Sequence, residues 1–270
     1  MRKYMLLLSA LAVLSSCEDV IEVAVPADKP RLVLDAVIRV LDSTATSTHF
    51  NLRASLSASF FDVVQPTALD RATLLNESTN TTVILLEETP GSGVYAADID
   101  TQFLLDGNLT LNIDHDGQTY TATTKFVPSA PIDTIVQGDG NLFGGDETEI
   151  VVAFTDAADR IDYYLFDFDF NEYLVTEDEF YPGQRFEFSY FYDDNLEAGR
   201  ELQINLLGVD ESFFNYMNQV IVQADSGSQG PFQTPAATVK GNFINTYNPT
   251  NFALGYFAVC QAYQRSIVIE

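Results

Sequence analysis

Cysteine, histidine and long apolar segments are all scarce in this sequence of 270 residues. It has two cysteines and two histidines, His49 and His115, which lie in unrelated contexts. It also lacks the HExxH, GxSxG and P-loop motifs. A histidine-based metal site or a Ser-His-Asp triad is therefore not expected. We predict no enzymatic activity, no catalytic residues and no cofactor; a hydrolase built on scattered carboxylates is the least favoured alternative.

Basic residues are few as well: 13 against 39 acidic residues, for a formal net charge of −26. The acidic residues are spread along the chain rather than clustered, which is typical of a generally solvated surface. A charge of this sign argues against nucleic acid as a partner and against adsorption to anionic lipid.

The only long apolar run lies at the N-terminus, where two basic residues at positions 2 and 3 precede Met5–Leu14. Small residues, Ser15 and Ser16, end the run. The run is too short for a bilayer, which takes about 20 apolar residues, and the order basic, apolar, small is that of a secretory signal peptide. Residues 1–16 are the predicted signal peptide.

Leu14-Ser15-Ser16-Cys17 resembles the bacterial lipoprotein box, in which the thiol of the cysteine takes a thioether-linked diacylglycerol. We predict covalent lipid on Cys17 and a membrane anchor through its acyl chains. The alternative is a secreted protein with a chance cysteine there. A lipidated Cys17 leaves Cys260 without a disulfide partner, and its apolar surroundings predict a buried thiol.

The segment after Cys17 is short and acidic. Glu18 and Asp19 resemble a surface-export signal of lipoproteins from Bacteroidetes-type bacteria, and Pro26 and Pro30 extend the segment into a tether. We therefore expect an outer-membrane, lipid-anchored protein, at the cell surface if that signal operates.

From Arg31 onward, short runs with apolar residues at alternate positions are separated by turn residues. Alternation buries one face of a strand, and Asp116-Gly117 between two such runs indicates a hairpin. Pro128 and Pro131 interrupt the pattern at the predicted domain boundary. Only Asp210–Ala224 has apolar residues at three- and four-residue spacings, which predicts one helix near residues 210–224.

We therefore predict a mostly β fold with two antiparallel β-sandwich (Ig-like) domains, of which the second carries the helix. The predicted organisation is a signal peptide (1–16), a lipidated N-terminus and tether (17–30), an N-terminal β-sandwich (31–127) and a C-terminal β-rich domain (128–270).

Aromatic and acidic residues alternate in the second half. Residues 167 and 169 share one face of a strand, whereas 166, 168 and 170 share the other. One interpretation is an aromatic core face with an acidic solvent face. The other is an exposed ligand or partner surface, whose candidate residues are Tyr163, Tyr164, Asp167, Asp169, Tyr190 and Tyr192.

Two pairs of acidic residues could supply oxygen ligands to Ca²⁺: Asp114 with Asp116, and Asp156 with Asp159. Neither pair lies in a Dx[DN]x[DN]G frame, and turn formation by aspartate is the favoured interpretation. Whether Ca²⁺ is bound stays open at this point.

Three parts of the chain resemble the Bacteroidetes lipoproteins classified as domain of unknown function 4249. The first is Cys17–Glu22 followed by Pro30–Ile38, and the second is Gly107–Tyr120 followed by Val127–Asp133. The third and most specific comprises three short motifs near the C-terminus: Gly230–Phe232, Val239–Asn242 and Leu254–Phe257.

The resemblance implies an accessory lipoprotein that assists ligand capture by, or docks on, a TonB-dependent (SusC-like) outer-membrane transporter. It implies no catalytic residues. The alternative is a structural or adhesive envelope module that binds no small ligand. Tandem β-sandwiches serve both roles, so the fold does not separate them.

Overall fold

The structure is a computed structural model. It describes residues 29–59, 62–140, 147–179, 181–192, 196–225 and 238–270. The strands and the short helix of the first half are β1 (Leu32–Val40), β2 (Ser47–Leu56), β3 (Gln65–Pro66), β4 (Arg71–Asn76), β5 (Thr81–Glu87), β6 (Val94–Asp100), α1 (Thr101–Leu105), β7 (Leu109–His115), β8 (Gln118–Thr124) and β9 (Phe126–Val127).

The second half is also mostly β, so the predicted fold class is confirmed at that level. Its elements are β10 (Ile132–Gln137), β11 (Thr148–Thr155), β12 (Tyr163–Asp167), β13 (Tyr173–Glu177), β14 (Arg185–Tyr192), β15 (Glu201–Val209), α2 (Glu211–Asp225), β16 (Ile244–Asn245) and β17 (Leu254–Val268).

The alternating pattern of the first half produces strands with one buried and one exposed face, as predicted. In β2, the buried Phe50 and Leu52 alternate with the exposed His49, Asn51 and Arg53. Buried residues of β1, β2 and β6 share one hydrophobic cluster with those of β4, β7 and β8. These strands therefore enclose a common core.

Most strands belong to one hydrogen-bonded sheet. Among the described residues it has 14 strands in the order β13-β12-β15-β17-β1-β2-β6-β5-β4-β7-β8-β16, with β3 on β2 and β9 on β17. A separate three-stranded sheet has the order β10-β11-β14.

The expectation that all pairing is antiparallel is wrong at β17, because β17 runs parallel to both β1 and β9. Strand β17 is continuous over 15 residues. Its first part pairs with β1 and its last part pairs antiparallel with β15. The large sheet thus includes strands from both sides of the predicted boundary, and the division into two domains stays a prediction.

The second half has three layers. Aromatic rings from β12 pack between the large sheet and the three-stranded sheet: Phe154 of β11 contacts Phe166 and Tyr164 edge-on, with ring centroids 5.6 and 5.0 Å apart. On the opposite face of the large sheet, α2 packs through Phe213 against Leu207 of β15 and Tyr256 of β17. Both faces of this part of the sheet are therefore covered.

Helix α2 confirms the predicted helix. It begins one residue later than expected because Asp210 caps it: the Asp210 carboxylate accepts a hydrogen bond from the Phe213 N–H at 2.7 Å. The short helix α1 had no counterpart in the predictions, since five residues are too few for a helical period.

Candidate functional site

A cleft of about 610 Å³ opens between α2 and the outer face of β1 and β2. It lies where strands from the first and second halves meet at β17. Cavities of this size hold small organic molecules, and they often occur where two structural units join. We call it the α2 cleft; its lining includes Asp35, Arg53, Tyr173, Tyr216, Gly255 and Tyr256.

One wall of the α2 cleft is aromatic. The helical period places Phe213, Tyr216 and Met217 on the face of α2 that turns to the sheet. The ring of Tyr256 stacks on Phe213 with centroids 4.6 Å apart and lies 5.0 Å from the ring of Tyr216. The stack forms an apolar surface against which a ring or an alkyl chain can pack.

The opposite wall is polar, because β2 turns its exposed side chains toward the α2 cleft. His49, Asn51 and Arg53 alternate along this strand, and Asp35 of β1 lies directly opposite Arg53 in the antiparallel register. Within the described part of the chain, neither Asp35 nor Arg53 forms an ion pair or a side-chain hydrogen bond. One acidic and one basic group therefore face the cleft without a protein partner.

The other two basic residues of the α2 cleft are already paired. Arg39 contacts the carboxylate of Asp167 at 2.7 Å, and His49 contacts that of Asp98 at 2.7 Å. The hydrogen bond to Asp98 raises the pKa of His49. Arg53 is thus the cation of this cleft whose charge is left for a ligand.

Two tyrosine hydroxyls complete the polar lining. Burial, and then the charges of nearby carboxylates that include Asp35, raise the pKa of Tyr173 and of Tyr216. Neither hydroxyl makes a hydrogen bond to a described residue. Both hydroxyls therefore stay protonated at neutral pH and can donate to or accept from a bound molecule.

The turn between β12 and β13 brings part of this lining into place. Three successive residues, Asp169, Phe170 and Asn171, have positive φ angles of 70°, 50° and 65°. Such angles are unfavourable for residues other than glycine and persist only where neighbouring contacts hold them. One such contact is the guanidinium of Arg200, 4.0 Å from the ring centre of Phe170. Asn171 of this turn and Tyr173 at the start of β13 line the α2 cleft.

Residues 18–266 match the model of a family described as a domain of unknown function, DUF4249. The chain belongs to the DUF4249 family. No curated protein matches it. The selenomethionine-substituted chicken interferon gamma receptor alpha chain aligns over 68% of this chain and 90% of its own length, with 7% identity. Its TM-score of 0.21 is too low to show a shared fold.

Two of the three C-terminal motifs of the DUF4249 resemblance, Val239–Asn242 and Leu254–Phe257, meet in the structure, whereas Gly230–Phe232 lies outside the described residues. The side-chain amide of Asn242 donates to the backbone carbonyl of Phe257 at 2.8 Å, and its oxygen accepts from the Phe257 N–H at 2.9 Å. Asn242 therefore pairs with β17 as a neighbouring strand would. Gly241 and Gly255 allow this approach, because a Cβ on Gly241 would lie 1.5 Å from the Gly255 carbonyl oxygen.

The structure separates the six candidate surface residues of this DUF4249 chain. Tyr164 and Tyr192 are buried in the core between the two sheets. Tyr163 and Asp167 lie on the opposite face, where Tyr163 packs against Phe214 of α2 and Asp167 pairs with Arg39. They do not form one surface with Tyr190, and their role in binding stays a prediction.

Tyr190 and Asp169 lie near the turn between β12 and β13. The ring of Tyr190 stacks on Phe168 with centroids 4.0 Å apart, and its hydroxyl donates to Glu172 at 2.6 Å. The backbone carbonyl of Asp169 accepts a hydrogen bond from the Glu172 N–H at 2.8 Å. Of the six predicted residues, only Tyr163 and Asp167 approach the surroundings of the α2 cleft.

Tyr164 belongs to a buried acidic cluster, comprising Asp156, Asp162 and Asp178. Its hydroxyl lies 2.6 Å from Asp156 and 3.0 Å from Asp162, so one proton serves two carboxylates. Arg160 pairs with Asp162 at 2.7 Å. Asp178 is only 2% exposed, and its Oδ2 atom has no hydrogen-bond partner among the described residues. Burial, and then the charges of Asp156 and Asp162, raise the pKa of Asp178.

One member of each acidic pair considered for Ca²⁺, Asp114 and Asp156, has protein partners. Asp114 pairs with Arg71 at 2.8 Å and accepts a hydrogen bond from Thr119. Asp156 accepts hydrogen bonds from Tyr164 and from the Gly183 N–H. In the described ranges, no three His, Cys, Asp or Glu side chains are arranged to hold a metal ion.

The predicted lipid site lies outside the described residues. This applies to Leu14, Ser15, Ser16 and Cys17 and to the possible export signal at Glu18 and Asp19. Cys260 is buried as expected, and burial raises the pKa of its thiol. Among the described residues, no helix combines the length and apolar character that a membrane crossing requires.

The residues of the α2 cleft were not predicted from the sequence. Asp35 and Arg53 were parts of strands already predicted, and Phe213 and Met217 were parts of the predicted helix. The alternation in β2 does indicate that Arg53 points away from the core. No local sequence pattern indicates that α2 and Tyr256 lie across the cleft from Arg53.

Proposed function

We propose that this DUF4249 protein is a lipid-anchored accessory protein of the outer membrane that captures a small ligand for a TonB-dependent (SusC-like) transporter or docks on it. The observation that carries the proposal is the α2 cleft. It offers an aromatic wall, two hydroxyls and the partnerless charges of Asp35 and Arg53 in a space of about 610 Å³. Cavities that bind small molecules have this combination of apolar walls and few polar groups.

The proposed membrane location of the protein depends on Cys17. Removal of residues 1–16 takes away Arg2 and Lys3 and leaves 11 basic against 39 acidic residues. An acylated Cys17 would attach this acidic body to the membrane. The tether of residues 17–30 can span at most about 50 Å at roughly 3.5 Å per residue, so the body would stay close to the bilayer. Glu18 and Asp19 would direct the protein to the cell surface, as in Bacteroidetes lipoproteins.

The two-sandwich organisation belongs to the same proposal. One hydrophobic cluster lies mostly in the first half, with Phe243, Ala253, Phe257 and Val259 contributed from the C-terminal part, and a second cluster lies between the two sheets of the second half. Two such clusters support the proposed units at 31–127 and 128–270, with the C-terminal strands packed on the first. Strand β17 would then be shared by both Ig-like units, and the α2 cleft would lie at their junction.

The lipid anchor is tested by Cys17→Ser. We expect this variant to lose acyl labelling and to leave the membrane fraction, because the thioether would be the attachment point. Cys260→Ala in the same full chain is the control and should keep both properties, since Cys260 is buried. Sedimentation of Cys17→Ser with outer membranes would contradict the proposal.

The partner is tested by purifying the lipidated protein from its native membranes in mild detergent. We expect a TonB-dependent transporter to co-purify, and its gene to lie next to the gene of this protein. Repeated absence of any such transporter would count against the accessory role.

A surface away from the α2 cleft favours a second candidate, an interaction module that binds no small ligand. Ile84 and Leu86, at alternate positions of β5 and therefore on one face of the strand, are 62% and 70% exposed. Exposed apolar residues grouped on one face often mark protein contacts. If Ile84→Ser with Leu86→Ser abolishes partner retention while Arg53→Gln has no effect, the interaction module is favoured.

A further inference from the structure

The charges of Asp35 and Arg53 indicate which class of molecule the α2 cleft accepts. Opposite charges at facing positions of an antiparallel pair normally interact with each other. Here the two residues face each other across β1 and β2, yet they do not form an ion pair. The hydrogen-bonded register of β1 with β2 also ends at this pair, although both strands continue. A ligand with both charges can lie between them.

The net charge of the whole protein limits which class of ligand the α2 cleft can accept. At a net charge of −26, the long-range field disfavours a simple anion. A simple cation would be repelled by Arg53 and would leave the guanidinium without a partner. A zwitterion with its two charges close together avoids both costs.

The tyrosine hydroxyls beside Asp35 also fit a zwitterionic ligand. Tyr173 and Tyr216 line the α2 cleft together with Asp35. Burial is the main cause that raises the pKa of each tyrosine, and the charge of Asp35 adds to it. Together with the Asp35 carboxylate the two hydroxyls provide acceptors for the three donors of an ammonium group. The Arg53 guanidinium provides the paired donors that suit a carboxylate.

The aromatic wall of the α2 cleft determines which side chain the ligand can carry. Tyr216 and Tyr256 form a tilted ring pair beside Asp35, with Phe213 stacked behind. An aromatic or branched apolar side chain can pack there, because the wall carries no charged group.

We infer that the α2 cleft binds a zwitterionic amino acid with an apolar side chain. Its carboxylate pairs with Arg53, its ammonium group pairs with Asp35 and its side chain packs on Tyr216 and Tyr256. The inference takes the cleft as a ligand site, as the proposed function does, but it requires neither the lipid nor the transporter.

The test measures binding of three probes to the purified full chain in mild detergent by isothermal titration calorimetry. The probes are L-phenylalanine, 3-phenylpropionate, which lacks the ammonium group, and phenethylamine, which lacks the carboxylate. We expect saturable binding of phenylalanine and at least about tenfold weaker binding of the other two, the effect of losing one charged contact of about 1.4 kcal/mol.

Variants connect the binding to the two charges. Arg53→Gln and Asp35→Asn should each weaken phenylalanine binding at least about tenfold while keeping the melting temperature, since both side chains are exposed. Arg71→Gln is the matched control, because Arg71 is an exposed arginine that pairs with Asp114 outside the cleft. It should bind phenylalanine as the unmodified protein does.

Three results would overturn the inference: no saturable phenylalanine binding, equal binding by both cleft variants, or equally tight Arg53-dependent binding of 3-phenylpropionate. The last result would show a simple carboxylate site. Failure of phenylalanine binding with a transporter still co-purifying would reject only this inference. Binding without any transporter partner would reject the accessory role and leave the amino-acid site in place.

Discussion

The buried acidic cluster concentrates more negative charge than its surroundings can neutralise. Asp156, Asp162 and Asp178 are each at most 5% exposed, and Arg160 is the cation paired with one of them. Removing carboxylates from water disfavours their charged form, and neighbouring carboxylates disfavour it further. The raised pKa of Asp178 and its partnerless Oδ2 atom are two consequences of the same arrangement.

We predict that Asp178→Asn stabilises the protein at neutral pH. A raised folded-state pKa means that the folded protein binds more protons than the unfolded chain as pH rises from about 4 to that folded pKa. Stability is therefore lost as pH rises through this window. Asparagine keeps the shape without the charge, so the free energy of unfolding at pH 7 should increase by about 1 kcal/mol or more.

The measurement is urea denaturation at several pH values. The advantage of Asp178→Asn should shrink as pH falls toward 4, because the aspartate then becomes neutral in both states. Asp159→Asn removes the same charge at an exposed position of a nearby loop, and it should leave stability unchanged. A destabilised Asp178→Asn at pH 7 would show that the carboxylate is ionised and held by favourable contacts.

At the scale of elements, β17 connects the two halves through backbone contacts that require glycine. Gly255 pairs with Leu34 of β1 at a φ of +93°, and a Cβ there would lie 1.9 Å from the Leu34 carbonyl oxygen. On the other side Gly241 approaches the Gly255 carbonyl. Both glycines lie within the short motifs near the C-terminus that carry the family resemblance.

We predict that Gly255→Ala destabilises the protein by at least about 2 kcal/mol more than Gly91→Ala does. Both glycines have similar positive φ angles, +93° and +81°, so the backbone strain of alanine is comparable. Only Gly255 has atoms where the Cβ would lie, whereas Gly91 has none within 4 Å. The difference between their urea unfolding free energies measures the steric part. Equal losses would mean that β1 and β17 can separate without cost.

For the whole molecule, the sharing of β17 predicts cooperative unfolding. Its first part belongs to the core of the first half through Phe257 and Val259, and its last part packs with the second half through Tyr263 and Ile267. The segment between the halves is also held in place: the Ser129 hydroxyl donates to the Leu206 carbonyl, and the Ser129 N–H donates to the side-chain oxygen of Gln261. If either half unfolds, part of β17 loses its packing, and the sheet of the other half is left with an unpaired edge.

We therefore expect one calorimetric transition with a ratio of van't Hoff to calorimetric enthalpy near one. Amides of β4 in the first half and of β11 in the second should exchange with similar protection. Two resolved transitions, or full protection of β11 with exchanged β4, would show that the halves at 31–127 and 128–270 unfold independently.

Several features were predictable from local patterns. The alternation along β2 indicated its exposed side, and the spacing of apolar residues indicated α2. The possible core face comprised Phe166, Phe168 and Phe170; the first two rings are buried, whereas Phe170 is 38% exposed. The same pattern indicated a solvent face for Asp167, yet Asp167 is 9% exposed and pairs with Arg39, because β1 and α2 cover that side.

By itself the sequence determined that the chain is mostly β, where most strands lie and which side of each is apolar, because alternation is a property of neighbouring residues. Only the tertiary structure decided that β17 runs parallel to β1, that three carboxylates share one buried cluster and that Asp35 and Arg53 face the aromatic wall of the α2 cleft. These features depend on contacts between residues far apart in the chain, and a local pattern carries no information about which distant segment will supply them.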